Sequence, residues 1–247
     1  MAKTKLASAS IDERGKAKGG KAGDQTGKEV KIQNYYVNSK GWRVFRPKSP
    51  QVAERIAYDA EAAAHNDNIG YDQGQRQTLY NVAEKVGFDC AKVTTPCETD
   101  CSALVRVCLA YAGINVPMNF RTYNEPKILL QTGQFEELTG DKYTKSGDYL
   151  KRGDILCTPV QGHTVVVITD GEGGTDPTPA PYAEYVEVIA KSVYVRKAPN
   201  TSGDKLGVVY KGDRLPYQGI DDEKSGWHLV IFKNQNGWIT PKYTKLV

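Results

Sequence analysis

The chain has 247 residues, a formal net charge of +4 and 39% hydrophobic residues, enough for one large or two small domains with a buried core. That mild basicity suits an anionic surface but is too weak and unpatterned to indicate nucleic acid, and no apolar run reaches membrane-spanning length. Met1 to Leu6 lacks the apolar core of a secretion signal, so synthesis ending in the cytoplasm is the expectation.

Residues 1 to about 28 are rich in Gly, Lys and Asp, after which Glu29–Gln33 and Trp42–Arg46 alternate like two strands of a hairpin. Gln51–Ala64 reads as an amphipathic helix with Val52, Ile56 and Ala60 on one face, and Leu79–Val86 as a second helix ended by Gly87. A third begins at Cys101: Leu104, Val105, Cys108, Leu109 and Ala112 recur at helical spacing, Thr99 or Asp100 suits the N-cap, and Gly113 suits the stop. A thiol at that end of a helix faces the positive pole of the macrodipole and free N–H groups, which favours the thiolate and later an oxyanion.

Arg152–Asp154 is a turn and Ile155–Cys157 a short strand. Another turn, Pro159–Gly162, leads into the β-branched run His163–Ile168, a largely buried strand. Alone, Cys101 is a core cysteine and His163 a turn histidine. Together they supply a nucleophile and the base that takes its proton. The five cysteines, Cys90, Cys97, Cys101, Cys108 and Cys157, are an odd number in one half of the chain, a poor disulfide framework, and they lack the paired short spacing of a zinc site. Neither a metal nor a cofactor is called for. Cys108 falls on the buried face of its helix, where packing is its role.

Residues 1–170 thus form an α+β domain. Residues 171–181, with Gly, Pro and acidic side chains and nothing to bury, form a linker. Residues 182–247 carry short alternating runs at Val186–Ala190, Ser192–Arg196, Gly207–Tyr210, Leu215–Gln218, Trp227–Phe232 and Gly237–Thr240, the pattern of a small all-β barrel.

The Asp100-Cys101-Ser102 opening of a helix, followed by Gly153-Asp154-Ile155 and Gly162-His163, resembles the NlpC-type peptidoglycan hydrolases, papain-like cysteine peptidases of bacterial walls and phage lysins. The C-terminal stretch with Val193–Arg196, Gly212-Asp213, Gly226-Trp227 and Gly237–Ile239 looks like a bacterial SH3-like wall-binding domain. The resemblance implies that Cys101 attacks an amide of the peptide stem, usually the γ-D-glutamyl bond to the diamino acid, with His163 as base and acid. It makes Asp100 and Ser102 substrate contacts, helix capping being their alternative, and makes Tyr71, in the segment Ile69–Arg76, a residue lining the site.

The chain departs from the family at the third polar residue, which orients the histidine from the strand after the His strand; here Thr169–Gly171 runs into the linker. Ser8–Asp12 and Gly23–Gly27 resemble the missing strands moved to the front, a circularly permuted papain-like arrangement. The orienting group is then Ser8, Asp24 or Gln25, with Asp170 as an alternative. Asp24 is the choice for the catalytic set and Gln25 for substrate contact. In the barrel, Tyr194, Arg196, Tyr217, Trp227, Trp238 and Tyr243 are available, and Tyr194, Arg196, Trp227 and Trp238 are the choice for wall binding.

The leading expectation is a phage endolysin-like enzyme acting on bacterial peptidoglycan, released to the wall by a holin-type membrane-permeabilising protein. N-acetylmuramoyl-L-alanine amidase activity is the enzymatic alternative, and a non-catalytic cell-wall-binding protein the alternative of another class.

Overall fold

A computed structural model describes residues 4–173, 185–222, 224–233 and 235–247. The chain divides into two compact units, with the change at Asp176 and Pro177 and residues 49–52 grouped with the second. Residues 1–3, and most of the linker expected over 171–181, lie outside the described residues.

The first unit contains β1 (Lys5–Ala9), β2 (Val30–Asn34), β3 (Arg43–Pro47), α1 (Pro50–Ala64), β4 (Ile69–Tyr71), α2 (Thr78–Ala83), β5 (Cys97–Thr99), α3 (Cys101–Tyr111), α4 (Glu125–Gln131), β6 (Phe135–Leu138), α5 (Asp141–Thr144), β7 (Ile155–Cys157) and β8 (Thr164–Val167). Six strands form one sheet in the order β2-β1-β8-β7-β3-β6, while β4 and β5 pair in parallel on their own. Every pair in the large sheet is antiparallel. Leu6, Val44, Leu156, Val165 and Val167 pack with Trp42 and Leu150 in one buried cluster. Alternate residues of the same strands, such as Ala7 and Val166, are also buried, and α3 packs on β1 and β8. Burial on both sides is why the His strand reads as an unbroken β-branched run.

The expected hairpin of Glu29–Gln33 with Trp42–Arg46 does not form. β2 pairs with β1, whereas β3 pairs with β6 and β7. Alternation reports which face a side chain occupies and leaves the partner strand open. β1 itself, with Leu6, Ala7, Ser8 and Ala9 all buried, is an interior strand inserted beside β8. Helix boundaries follow local chemistry: α2 tightens into a 3-10 turn at Glu84–Val86 and stops at Gly87, whose φ of 72° is left-handed.

The second unit holds β9 (Tyr185–Val188), β10 (Ser192–Arg196), β11 (Lys205–Tyr210), β12 (Arg214–Asp221), β13 (His228–Phe232), β14 (Gln235–Ile239) and β15 (Thr244–Leu246), in the sheet order β11-β10-β14-β13-β12-β9-β15. Its core is Val186, Val188, Val193, Val195, Val209, Leu215, Tyr217, Val230, Phe232 and Ile239. Gly207 is required by close approach, because a Cβ there would lie 2.5 Å from Cζ of Phe232.

Candidate active site

Cys101 is the first residue of α3. Asp100 precedes it in extended conformation and caps the helix, its carboxylate accepting from the Ala103 N–H at 2.7 Å. The Cys101 sulfur is 8% exposed at the residue level, and the backbone N–H groups of Ser102 and Thr164 serve it as donors. Those two donors come from the α3 first turn and from the start of β8, so the thiol sits where the helix meets the His strand.

His163 lies one residue before β8. Its backbone is clamped by Thr158: the Thr158 N–H donates to the His163 carbonyl at 3.0 Å, and the His163 N–H donates to Thr158 Oγ1 at 3.0 Å. Its ring Nε2 is 3.0 Å from Ser8 Oγ, across 155 residues of sequence. The strand pairing of β1 with β8 makes that contact possible.

Burial pushes the Cys101 thiol up to about 12; the Asp100 carboxylate adds to the rise, and the Thr164 and Ser102 N–H groups oppose it. Burial also pushes the His163 ring down to about 4, helped by the Lys31 ammonium. Burial thus favours the neutral forms of the Cys101 thiol and the His163 imidazole, against the pull of the helix terminus on the thiol. Glu125, fully buried, acts electrostatically on the thiol, and its Oε1 accepts from Thr164 Oγ1 at 2.7 Å. Burial raises Glu125 to about 8, so it is protonated at neutral pH.

Two tyrosines stand within electrostatic reach of the Cys101 sulfur. Tyr71 is one, its phenol raised to about 12 by burial and its oxygen accepting from Gln73 Nε2 at 3.0 Å. Tyr36, from the segment after β2, is the other, its phenol also raised by burial. Sequence reasoning missed Tyr36, since an aromatic in a connection carries no periodic signal.

Other expected site residues are engaged elsewhere. Asp24 is spent on its own loop, its two oxygens accepting from the backbone N–H groups of Thr26, Gly27, Lys28, Glu29 and Val30. The ring partner of His163 is Ser8, which corrects the choice of Asp24. Gln25 Nε2 donates to the Ala22 and Gly23 carbonyls, and Asp170 accepts from the Arg152 N–H. Asp100 and Ser102 are tied into a buried network: Arg76 bonds both Asp100 oxygens and the Ser102 hydroxyl, and Ser102 donates to Asp100. The capping role expected as their alternative is the one the hydrogen bonds display at the helix entry. Arg76 escaped the sequence reading because a lone arginine shows no partner in one dimension.

In the second unit Tyr194 is 41% exposed, with Lys205 Nζ 4.0 Å and Arg196 Cζ 5.4 Å from its ring centre. Arg196 also donates to the Gly203 carbonyl, and Trp238 is partly buried. Trp227 is buried, like Tyr217, so the expectation that it offers its ring to a ligand is corrected: a small barrel needs its large side chains inside. Tyr210, absent from the expected set, is exposed, as is Tyr243.

Among the described residues, no group of three or more His, Cys, Asp or Glu side chains is placed to hold a metal ion, and no helix is long and apolar enough to cross a membrane. All five cysteines are buried and unpaired. Compared with known families, residues 6–174 match the model described as an endolysin-like domain, and residues 191–245 match that described as a bacterial SH3 domain. No curated protein and no solved structure is matched.

Proposed function

From the premise that the chain belongs to the endolysin-like domain family and carries a bacterial SH3 domain, we propose that it is a peptidoglycan hydrolase working as a cysteine peptidase on the peptide stem. The observation that carries this reading is the 3.0 Å contact of Ser8 Oγ with Nε2 of His163, which prepares the imidazole beside the helix that starts at Cys101. When Nε2 bears the hydrogen and donates to Ser8, Nδ1 is the free base.

Because both partners rest neutral, the thiol proton passes to His163 Nδ1 as the sulfur attacks the carbonyl carbon. The carbonyl electron pair moves onto oxygen, where the Cys101 N–H, at the open N-terminal end of α3, receives the charge. The oxyanion collapses, the C–N bond breaks, and His163 returns the proton to the leaving amine. A water, deprotonated by the same ring, then hydrolyses the thioester and restores the thiol. The bond read for cleavage is γ-D-glutamyl to diamino acid, with Tyr71 and Tyr36 beside the reacting sulfur. The insertion of β1 beside β8 supports an NlpC-like, papain-type core whose orienting strand has moved to the front of the chain. The SH3 unit holds the enzyme on bacterial peptidoglycan and raises its local concentration there. A phage lysin made in the cytoplasm and released through a holin is the setting that fits these parts.

Mass spectrometry of fragments released from purified peptidoglycan by the intact protein and by Cys101→Ala tests the reading. New stem-peptide termini formed only by the intact protein are expected. Free lactyl groups would make the enzyme an N-acetylmuramoyl-L-alanine amidase, and no release by either protein, with both still sedimenting with the wall, would leave a binding protein.

A further inference from the structure

Thr164 joins the nucleophile to a buried acid. Its backbone N–H serves the Cys101 sulfur as a donor, and its hydroxyl donates to Oε1 of Glu125 at 2.7 Å. It follows His163 directly in the chain and stands opposite Cys157 in the pairing of β7 with β8. Thr164 is 1% exposed, and Glu125, the first residue of α4, is 0% exposed. A carboxyl sealed from water thus lies a single residue away from the reacting sulfur.

Such a carboxyl ionises readily only where a cation or several donors compensate it. Glu125 has the Thr164 hydroxyl on one oxygen, while its Oε2 is buried with no hydrogen-bond partner among the described residues. The titratable groups acting on it are Cys157 of β7 and Asp100 and Cys101 of α3, each negative when charged. All of this favours the neutral acid, in line with its rise to about 8. The charge state matters because negative charge gathers on the Cys101 sulfur twice in the reaction, as the thiol gives up its proton and again as the thioester breaks. The Thr164 N–H stabilises that charge, whereas a carboxylate at Glu125 opposes it.

We propose that Glu125 is a positioning residue for the cleavage reaction, an uncharged acid that, through the Thr164 hydroxyl, holds the Thr164 N–H on the Cys101 sulfur without setting a negative charge beside it. This rests on the cysteine peptidase reading above. The hydroxyl is the link: with its hydrogen committed to Glu125, the residue after His163 is pinned at its side chain as well as in the sheet, and its N–H keeps one direction. A carboxylate in the same place accepts that hydrogen equally well, yet repels the charge that the N–H is there to receive.

The test compares full-length wild type with Glu125→Gln, Glu125→Ala and Thr164→Val, measuring kcat and KM on a soluble stem peptide across pH and the melting temperature of each protein. Glu125→Ala and Thr164→Val are expected to lower kcat by about tenfold with little change in KM, and Glu125→Gln, which keeps an uncharged acceptor for Thr164, to recover that loss. In the wild type kcat should decline by about tenfold as pH passes above about 8, and in Glu125→Gln that decline should be absent. The pH profile of Glu125→Gln, close in shape to the wild type, carries the test by itself should Glu125→Ala fail to fold. A Glu125→Gln protein that declines as the wild type does, or a folded Glu125→Ala protein with wild-type kcat, overturns the proposal. Iodoacetamide labelling of Cys101, located by mass spectrometry, reads the same sulfur with no substrate present. The ratio of the Glu125→Gln labelling rate to that of the wild type should rise about tenfold between about pH 7 and about pH 10. Should the wild type cleave no stem peptide, the peptidase reading fails and labelling decides the effect of Glu125 on the sulfur alone: a rising ratio upholds it, and a constant ratio overturns it.

Discussion

At the scale of single residues, the chemistry turns on proton positions. With the His163 ring lowered to about 4, the imidazole is neutral and able to act as base at every pH above that value. Activity is therefore expected to hold from neutral to mildly acidic pH and to fall as pH drops through about 4, measured as kcat/KM on a soluble stem peptide. The same ring affects stability. Its folded value lies below the ordinary 6.5, so between 6.5 and about 4 the unfolded chain binds the proton first; stability is complete above 6.5 and is lost as pH falls through that window. Denaturant midpoints of wild type and His163→Asn, compared across these pH values, should converge toward acid. Ser8→Ala leaves Nε2 without its partner and the ring without its orientation, and kcat is expected to fall by about tenfold or more with little change in KM. Iodoacetamide should alkylate Cys101 slowly at neutral pH, since its thiol is raised to about 12. Rapid alkylation there would show a thiolate at rest.

At the scale of elements, α3 shows what the sequence revealed and where it stopped. Its start at Cys101 and its stop near Gly113 follow from capping chemistry and 3.6-residue periodicity, and β7 and β8 were legible as apolar runs bounded by turns. Pairing was not legible. β1 is five residues of small and mixed side chains, and only the assembled sheet explains why all but one of them are buried. Likewise the Asp100 side chain announced a cap, but nothing announced Arg76, whose Nε is 2.6 Å from it with side-chain exposures of only 6% and 9%. Breaking a buried pair leaves a charge without compensation, so Asp100→Ala is expected to cost about 3–5 kcal/mol of stability, beyond the roughly 1 kcal/mol of a lost cap. Chemical denaturation measures that loss. A substrate-binding role for Asp100 would instead raise KM in a protein of unchanged stability. Gly153, between α1 and β7, has φ of +94° and would drive a Cβ into the Ala53 backbone carbonyl, so Gly153→Ala is also strongly destabilising.

At the scale of the whole molecule, catalysis and retention reside in separate units, each with its own apolar cluster. The barrel was legible as a succession of short alternating strands, while the roles of its aromatics were not, because an aromatic in a strand reads the same whether it faces the core or the solvent. That difference has a direct test in the full chain. Tyr194→Ala, at an exposed ring flanked by Lys205 and Arg196, should weaken sedimentation with purified peptidoglycan without lowering the melting temperature of the barrel. Trp227→Ala, at a buried ring, should lower that melting temperature. The placement of β1 also has a consequence for how the enzyme comes into being. The strand made first on the ribosome reaches its neighbour β8 only after more than 150 further residues have been added, as the 155-residue separation of Ser8 and His163 records. Contacts of such long sequence separation form late in folding. Recovery of activity in a refolding experiment should therefore trail the recovery of helical signal, because the unit can gain most of its shape before the one hydroxyl that steadies its histidine arrives.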